Sequence, residues 1–102
     1  IKLKLMKLGS LEALGAALER IRALGMSPVL GNGVACDLGC WMEACVAARH
    51  VDNAGEMNGF LRARAGLLTQ ALEVRSGALL LQPGFVPQLA RERLAPYIVE
   101  TR

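Results

Sequence analysis

Apolar and charged residues alternate over the first five positions of the chain. Ile1 and the two odd positions after it are apolar, and the even positions are Lys2 and Lys4. A period of two is typical of a β-strand, and alternate side chains of a strand point to opposite faces. The pattern therefore predicts a strand with both lysines on one face, followed by a turn at Gly9.

The next segments alternate between helix and strand periods. Apolar residues at three- and four-residue spacing predict an amphipathic helix over residues 11–24, with Ser10 as N-cap and Gly25 after its last turn. Residues 29–30 are expected to form a short buried strand, and a second helix is expected from residue 36 or 37 to about 49. Strand, helix, strand, helix predicts a βαβ unit with a parallel sheet.

Weaker patterns fill the second half of the chain. We expect a third short strand around Val51, a short helix over residues 60–68 and a final helix over residues 87–94 that stops at Pro96. Two apolar runs, residues 71–74 and 78–81, on either side of Arg75-Ser76-Gly77 predict a small hairpin.

Composition narrows the class of protein. The chain has 102 residues, of which 53% are hydrophobic and only 4% are aromatic. This size suits one small domain. So high an apolar content predicts an aliphatic core on two faces of a sheet, or a piece of a larger fold. The longest apolar runs fall far short of the roughly 20 residues that span a bilayer, so no membrane association is expected.

Charge and cysteine content point to a cytoplasmic protein. The net charge is +3, but no dense basic stripe with interleaved aromatic residues is present, so nucleic-acid binding is not expected. The odd number of cysteines favours reduced thiols over a disulfide framework. We expect Cys36, Cys40 and Cys45 to be small core residues rather than metal ligands, because their spacing with His50 suits no standard zinc site.

The two lysines of the first strand have two interpretations. Lysines on an exposed edge strand discourage aggregation. A lysine in a dry site beside another cation can instead act as a base near neutral pH.

Four segments together resemble the carboxyl-terminal end of the barrel domain in the mandelate racemase and muconate lactonizing group of the enolase superfamily. The resemblance covers nearly the whole chain, and the order and spacing of the segments carry it. They are residues 3–10 (LKLMKLGS), similar to the sixth strand and its turn; residues 26–33 (MSPVLGNG), similar to the seventh strand; residues 41–48 (WMEACVAA), similar to the following helix; and residues 77–85 (GALLLQPGF), similar to the closing segment.

The resemblance implies an α/β fold that is the carboxyl-terminal portion of a (β/α) barrel, about strands six to eight with their helices. Residues 1–102 would then be a fragment that lacks the capping domain and the first five strands. Open sheet edges would be expected to make such a fragment self-associate. The alternative is a stand-alone small α/β module for binding or assembly, without catalysis.

The resemblance also implies a chemistry. Family members abstract the proton α to a carboxylate, and a divalent metal, usually Mg²⁺, stabilises the resulting enediolate. The metal-binding carboxylates lie on strands that are absent here, so no metal ligand is assigned and this fragment is expected to bind none. A racemase, epimerase or dehydratase acting on a small carboxylate is implied, with an amino-acid-like acid as one candidate substrate.

Individual residues follow from the same resemblance. Lys4 matches the sixth-strand lysine that serves as general acid/base, opposite a second lysine from the absent second strand. Barrel sites lie at the carboxyl ends of strands, which predicts that Gly31, Asn32, Asp52 and Asn53 line the substrate. Two departures are apparent. Ala35 stands where dipeptide epimerases have a glutamate, and Ala54 replaces the second aspartate of an Asp-x-Asp pair that holds an ammonium.

Overall fold

The computed structural model describes residues 1–31 and 35–100. The regular elements within those ranges are β1 (Lys2–Leu3), α1 (Leu11–Ala23), β2 (Val29–Leu30), α2 (Asp37–His50), β3 (Val74–Arg75), β4 (Ala78–Leu79) and α3 (Arg91–Leu94). Single 3₁₀ turns span Leu5–Lys7, Gly59–Arg62 and Ala95–Tyr97. The chain is thus a small mixed α/β protein with very short strands.

The amino-terminal half is a βαβ unit, as the sequence predicts. β1 and β2 pair in parallel, with Lys2 opposite Val29 and Leu3 opposite Leu30, and α1 connects them. Ser10 begins α1 by accepting a hydrogen bond from the Ala13 N–H at 3.0 Å through its side chain. A cap of this kind is worth about 1 kcal/mol.

The hydrophobic core lies between the β1–β2 sheet and the two long helices, α1 and α2. It is centred on the buried side chains Leu14, Leu18, Leu30 and Ala47, with Leu3 packed against them. Since side chains alternate along a strand, Lys2 and Lys4 lie on the face of the sheet opposite to this core.

The third position in the parallel sheet, beside β2, is occupied by a later residue than the sequence predicts. Val51 forms no strand, because its N–H donates to the Ala47 carbonyl in the last turn of α2. The chain reaches the sheet five residues later, where an isolated parallel bridge pairs Gly31 with Glu56. The Glu56 N–H donates to the Leu30 carbonyl at 2.8 Å.

The two late helices are shorter than predicted. Only residues 59–62 of the first region form a turn, and the second helix begins at Arg91 rather than near residue 87. Residues from the two predicted helices pair with each other instead. Leu68 and Leu89 form an antiparallel bridge, and the Ala90 N–H donates to the Leu67 carbonyl. The second helix ends at Leu94, as predicted, and Pro96 lies in the 3₁₀ turn that follows it.

The predicted hairpin is present, and the predicted first strand is shorter than expected. β3 and β4 pair antiparallel across Ser76 and Gly77, both at positive φ (51° and 78°), as a two-residue hairpin turn requires. The first strand ends before Leu5, because the Lys7 N–H donates to the Lys4 carbonyl and closes a turn.

Candidate functional site

One row of residues crosses the sheet where β1, β2 and the segment paired through the Gly31–Glu56 bridge lie side by side. The row consists of Lys4, Gly31 and Glu56. The Gly31 N–H donates to the Leu3 carbonyl at 2.9 Å, which sets Gly31 level with Lys4. Glu56 is the bridge partner of Gly31 on the other side. Neighbouring strands lie about 4.8 Å apart, so the backbones of Lys4 and Glu56 are roughly 10 Å apart. Glycine between them leaves that space open.

Lys2 fills part of this space. Its ammonium forms an ion pair and hydrogen bond with Glu56. To reach that carboxylate its aliphatic stem passes directly over Gly31, and a Cβ atom at Gly31 would lie 2.7 Å from Lys2 Cε. We call Lys2, Lys4 and Glu56 the Lys–Glu cluster.

Both lysines act on the carboxylate of Glu56. The hydrogen bond and the charge of Lys2 lower the Glu56 pKa most, the charge of Lys4 lowers it further, and desolvation opposes both. Glu56 is therefore ionised at neutral pH, and the cluster carries two positive charges and one negative charge.

Lys4 differs from Lys2 in its surroundings. It is half-buried and extended, with φ −139° and ψ 138°, at the last position before the Leu5–Lys7 turn. Among the residues that the structure describes, its ammonium is in no ion pair. Its amine is thus the polar group of the cluster that remains available to a ligand.

Two of the predicted rim residues lie at the other end of the sheet. The Asn53 side chain donates to the Pro28 carbonyl at 2.8 Å, at the amino-terminal end of β2. Asp52 lies 3.6 Å from Arg22 near the end of α1, and its side chain is 85% exposed. The structure thus places these two residues away from the row of Lys4, Gly31 and Glu56, because the third parallel position comes after them in the chain.

Of the other predicted residues, Gly31 is at the row and Asn32 falls outside the described residues. Sequence reasoning missed Glu56 as a member of the site. Its segment has no β-branched residues and no alternation, so nothing local marks it as strand. Only its backbone bond to Leu30 brings it to the sheet.

Residues 1–31 and 35–100 contain no cluster of three or more histidine, cysteine or acidic side chains placed to hold an ion. Glu56 is the acidic member of the Lys–Glu cluster, and it is bonded to Lys2.

A second polar centre holds the chain's two halves together. Asp37, the first residue of α2, is only 5% exposed. Its carboxylate accepts hydrogen bonds from the N–H groups of Leu38 (3.0 Å), Leu67 (3.1 Å) and Leu68 (3.0 Å). Arg93 completes the attachment by donating to the Gly66 and Leu68 carbonyls at 2.7 and 2.6 Å.

Polar contacts also join α1 to the carboxyl-terminal end of α2. His50 lies against Gly15, and its Nδ1 is 2.8 Å from Glu19 Oε1 on α1. Cys40 is buried, as expected of a core cysteine, Cys45 is half-buried and Cys36 is exposed at the start of α2. Burial raises the pKa of the Cys45 thiol, and the charge of Arg49 opposes that shift.

Comparison with known proteins adds no relative. No known protein family matches the sequence, and neither does any curated protein. None of the helices in the described parts of the chain is long and apolar enough to cross a membrane.

Proposed function

We propose that this chain is the carboxyl-terminal part of a mandelate racemase/muconate lactonizing-type enzyme, a cytoplasmic protein that abstracts the proton α to a carboxylate. The observation that carries the proposal is the position of Lys4. It stands at the carboxyl end of a parallel strand, on the face away from the helices, and its ammonium is in no ion pair within the described residues.

The order of the elements supports the same proposal. β1, β2 and the Glu56 position are neighbours in sequence order, all parallel, with α1 and α2 as the connections. Consecutive parallel neighbours joined by helices are the repeating unit of a (β/α) barrel. We propose that these are three of the eight strand positions of such a barrel.

In this proposal Lys4 is the general acid/base. Lys4 acts as the acid in its ammonium form and as the base once that ammonium has given up its proton, so the amine accepts the α-proton of the substrate and the ammonium returns it. A second base on the other side of the substrate would make the enzyme a racemase or epimerase, and an acid there would make it a dehydratase. The residues that hold magnesium are assigned to strands outside this chain, and no step here depends on them.

The register supports a different segment for the proposed eighth strand. The resemblance implies Asp-x-Asp at residues 52–54, but Glu56 occupies the third parallel position. Glu56-Met57-Asn58 is then the equivalent segment, with a carboxylate and an amide two residues apart. In the proposed site Glu56 takes the place of Asp52 and Asn53, on the side of Gly31 opposite to Lys4.

The coding DNA upstream of Ile1 tests the proposal without any assumption about substrate. If the proposal is right, the frame stays open and encodes a Lys-x-Lys strand followed by three strands that each carry one acidic residue. A start codon and ribosome-binding site directly ahead of Ile1 would contradict it.

The Lys2–Glu56 ion pair favours a second candidate function. An exposed, paired lysine is what an edge strand uses to limit association, as expected of a stand-alone binding or assembly module. Light scattering separates the two proposals. A barrel fragment should self-associate through its open sheet edges, whereas a stand-alone domain should be a monomer with cooperative unfolding.

A further inference from the structure

We infer that Lys2 sets the charge of the ligand that the Lys–Glu cluster accepts: by pairing with Glu56 it makes the cluster select an organic anion and reject an organic cation. The inference takes from the proposed function only the location of the site. It names Lys2 as a specificity-determining residue, which acts on the ligand through Glu56.

The first step is geometric. Lys2 is level with Val29, two residues before the row of Lys4, Gly31 and Glu56 and on the same face of the sheet. Its side chain reaches Glu56 because Gly31 has no Cβ: an added Cβ would be 2.7 Å from Lys2 Cε and 3.6 Å from Nζ. The Lys2 ammonium thus reaches the Glu56 carboxylate across the backbone of Gly31, where only glycine leaves room for the Lys2 side chain.

The second step concerns charge. With Lys2 in place, the carboxylate of Glu56 is already bonded to an ammonium, so a ligand cation would have to displace Lys2. Lys4 is the remaining charge, and its ammonium is in no ion pair among the described residues. The cluster as a whole carries a net charge of +1, from two lysines and one glutamate, which attracts an anion.

The third step is the consequence of removing Lys2. Without Lys2, the charges of Glu56 and Lys4 sum to zero, and the Glu56 carboxylate becomes available to a cation. A unit charge about 10 Å away across water, the separation of Lys4 and Glu56, changes binding by roughly twofold. Lys2→Met should therefore weaken binding of a small carboxylate by about that factor and introduce binding of an ammonium.

The test uses the 102-residue chain and two small probes, glycolate and ethylammonium, at constant ionic strength. NMR follows the side-chain Nζ signal of Lys4 and the carboxyl carbon of Glu56 during each titration. In the wild type, glycolate should shift the Lys4 signal and ethylammonium should shift neither. In Lys2→Met, ethylammonium should shift the Glu56 signal and glycolate should bind about twofold more weakly.

Two further variants make the test specific. Gly31→Ala keeps every charge but places a methyl group on the path of Lys2, so it should change probe selectivity in the same direction as Lys2→Met. Lys7→Met removes one charge from the exposed turn after the strand and should leave the wild-type preference intact.

Three results would overturn the inference: wild-type Glu56 responding to ethylammonium, Lys2→Met binding glycolate as the wild type does, or glycolate producing no shift at Lys4. All are independent of catalysis. An upstream frame closed at Ile1 would remove the proposed function and leave these titrations unchanged.

Discussion

Replacing Asp37 with alanine should detach the second half of the chain from α2. The carboxylate is almost wholly buried and accepts three backbone N–H groups, two of which come from Leu67 and Leu68, thirty residues away. Leu68 is itself 2% exposed, so its N–H cannot turn to water without moving the segment.

The magnitude follows from those two bonds. A hydrogen bond to a charged acceptor contributes about 1.5–3 kcal/mol, so the pair contributes about 3–6 kcal/mol. Removing the carboxylate also removes the cost of burying its charge, which offsets part of that sum. We expect the free energy of unfolding to fall by about 3 kcal/mol, a large share of the roughly 5–15 kcal/mol typical of a domain.

Urea unfolding at neutral pH measures this change. With a slope near 1.5 kcal/mol per molar, typical of a small protein, the midpoint should fall by about 2 M. Asp52→Ala is the matched control, because it removes an equally charged but exposed side chain and should cost less than about 1 kcal/mol. Equal urea midpoints for the two variants would refute the conclusion that the Asp37 hydrogen bonds to Leu67 and Leu68 stabilise the fold.

Three other predictions follow from single contacts. Gly55→Ala should destabilise the protein by about 1–3 kcal/mol in urea unfolding, because the new Cβ would lie 2.8 Å from the Leu30 carbonyl oxygen; Gly39→Ala, with no contact under 3.4 Å in α2, should not destabilise it. Cys45 should react with iodoacetamide at pH 8 more slowly in the folded chain than in urea, because its raised pKa leaves less thiolate; equal rates would contradict its burial. Because the folded-state pKa of Glu56 is lowered, its contribution to stability is fully present above the ordinary pKa of glutamate and is lost as the pH falls through the folded-state pKa. Lys2→Met should raise the midpoint of the Glu56 carboxyl titration followed by NMR. An unchanged midpoint would show that Lys2 does not lower the Glu56 pKa.

The elements that the sequence predicts well are those whose signals are local. α1 has an N-cap at Ser10 and a regular apolar stripe, and the hairpin has turn residues suited to positive φ. Each of these signals acts within a few residues, so the pattern and the structure agree.

The parts that the sequence misses depend on contacts between distant residues. Leu67 and Leu68 have helical composition but give their N–H groups to Asp37, which removes the donors that a helix over 60–68 would need. Glu56 reaches the sheet through one backbone bond to Leu30. Neither partner can be identified from the residues beside it, which is why the sequence offers Asp52 and Asn53 at this edge and not Glu56.

Deuterium exchange at the α-carbon of small carboxylates tests the central claim, the role of Lys4, most directly. The assay uses the complete protein encoded by the open frame that contains this chain, in D₂O with magnesium, with Lys4→Met compared to Lys7→Met. We predict exchange by the wild type and by Lys7→Met, and its loss on the Lys4 side of the substrate in Lys4→Met. Exchange by Lys4→Met at the wild-type rate would contradict the assignment of Lys4 as the acid/base.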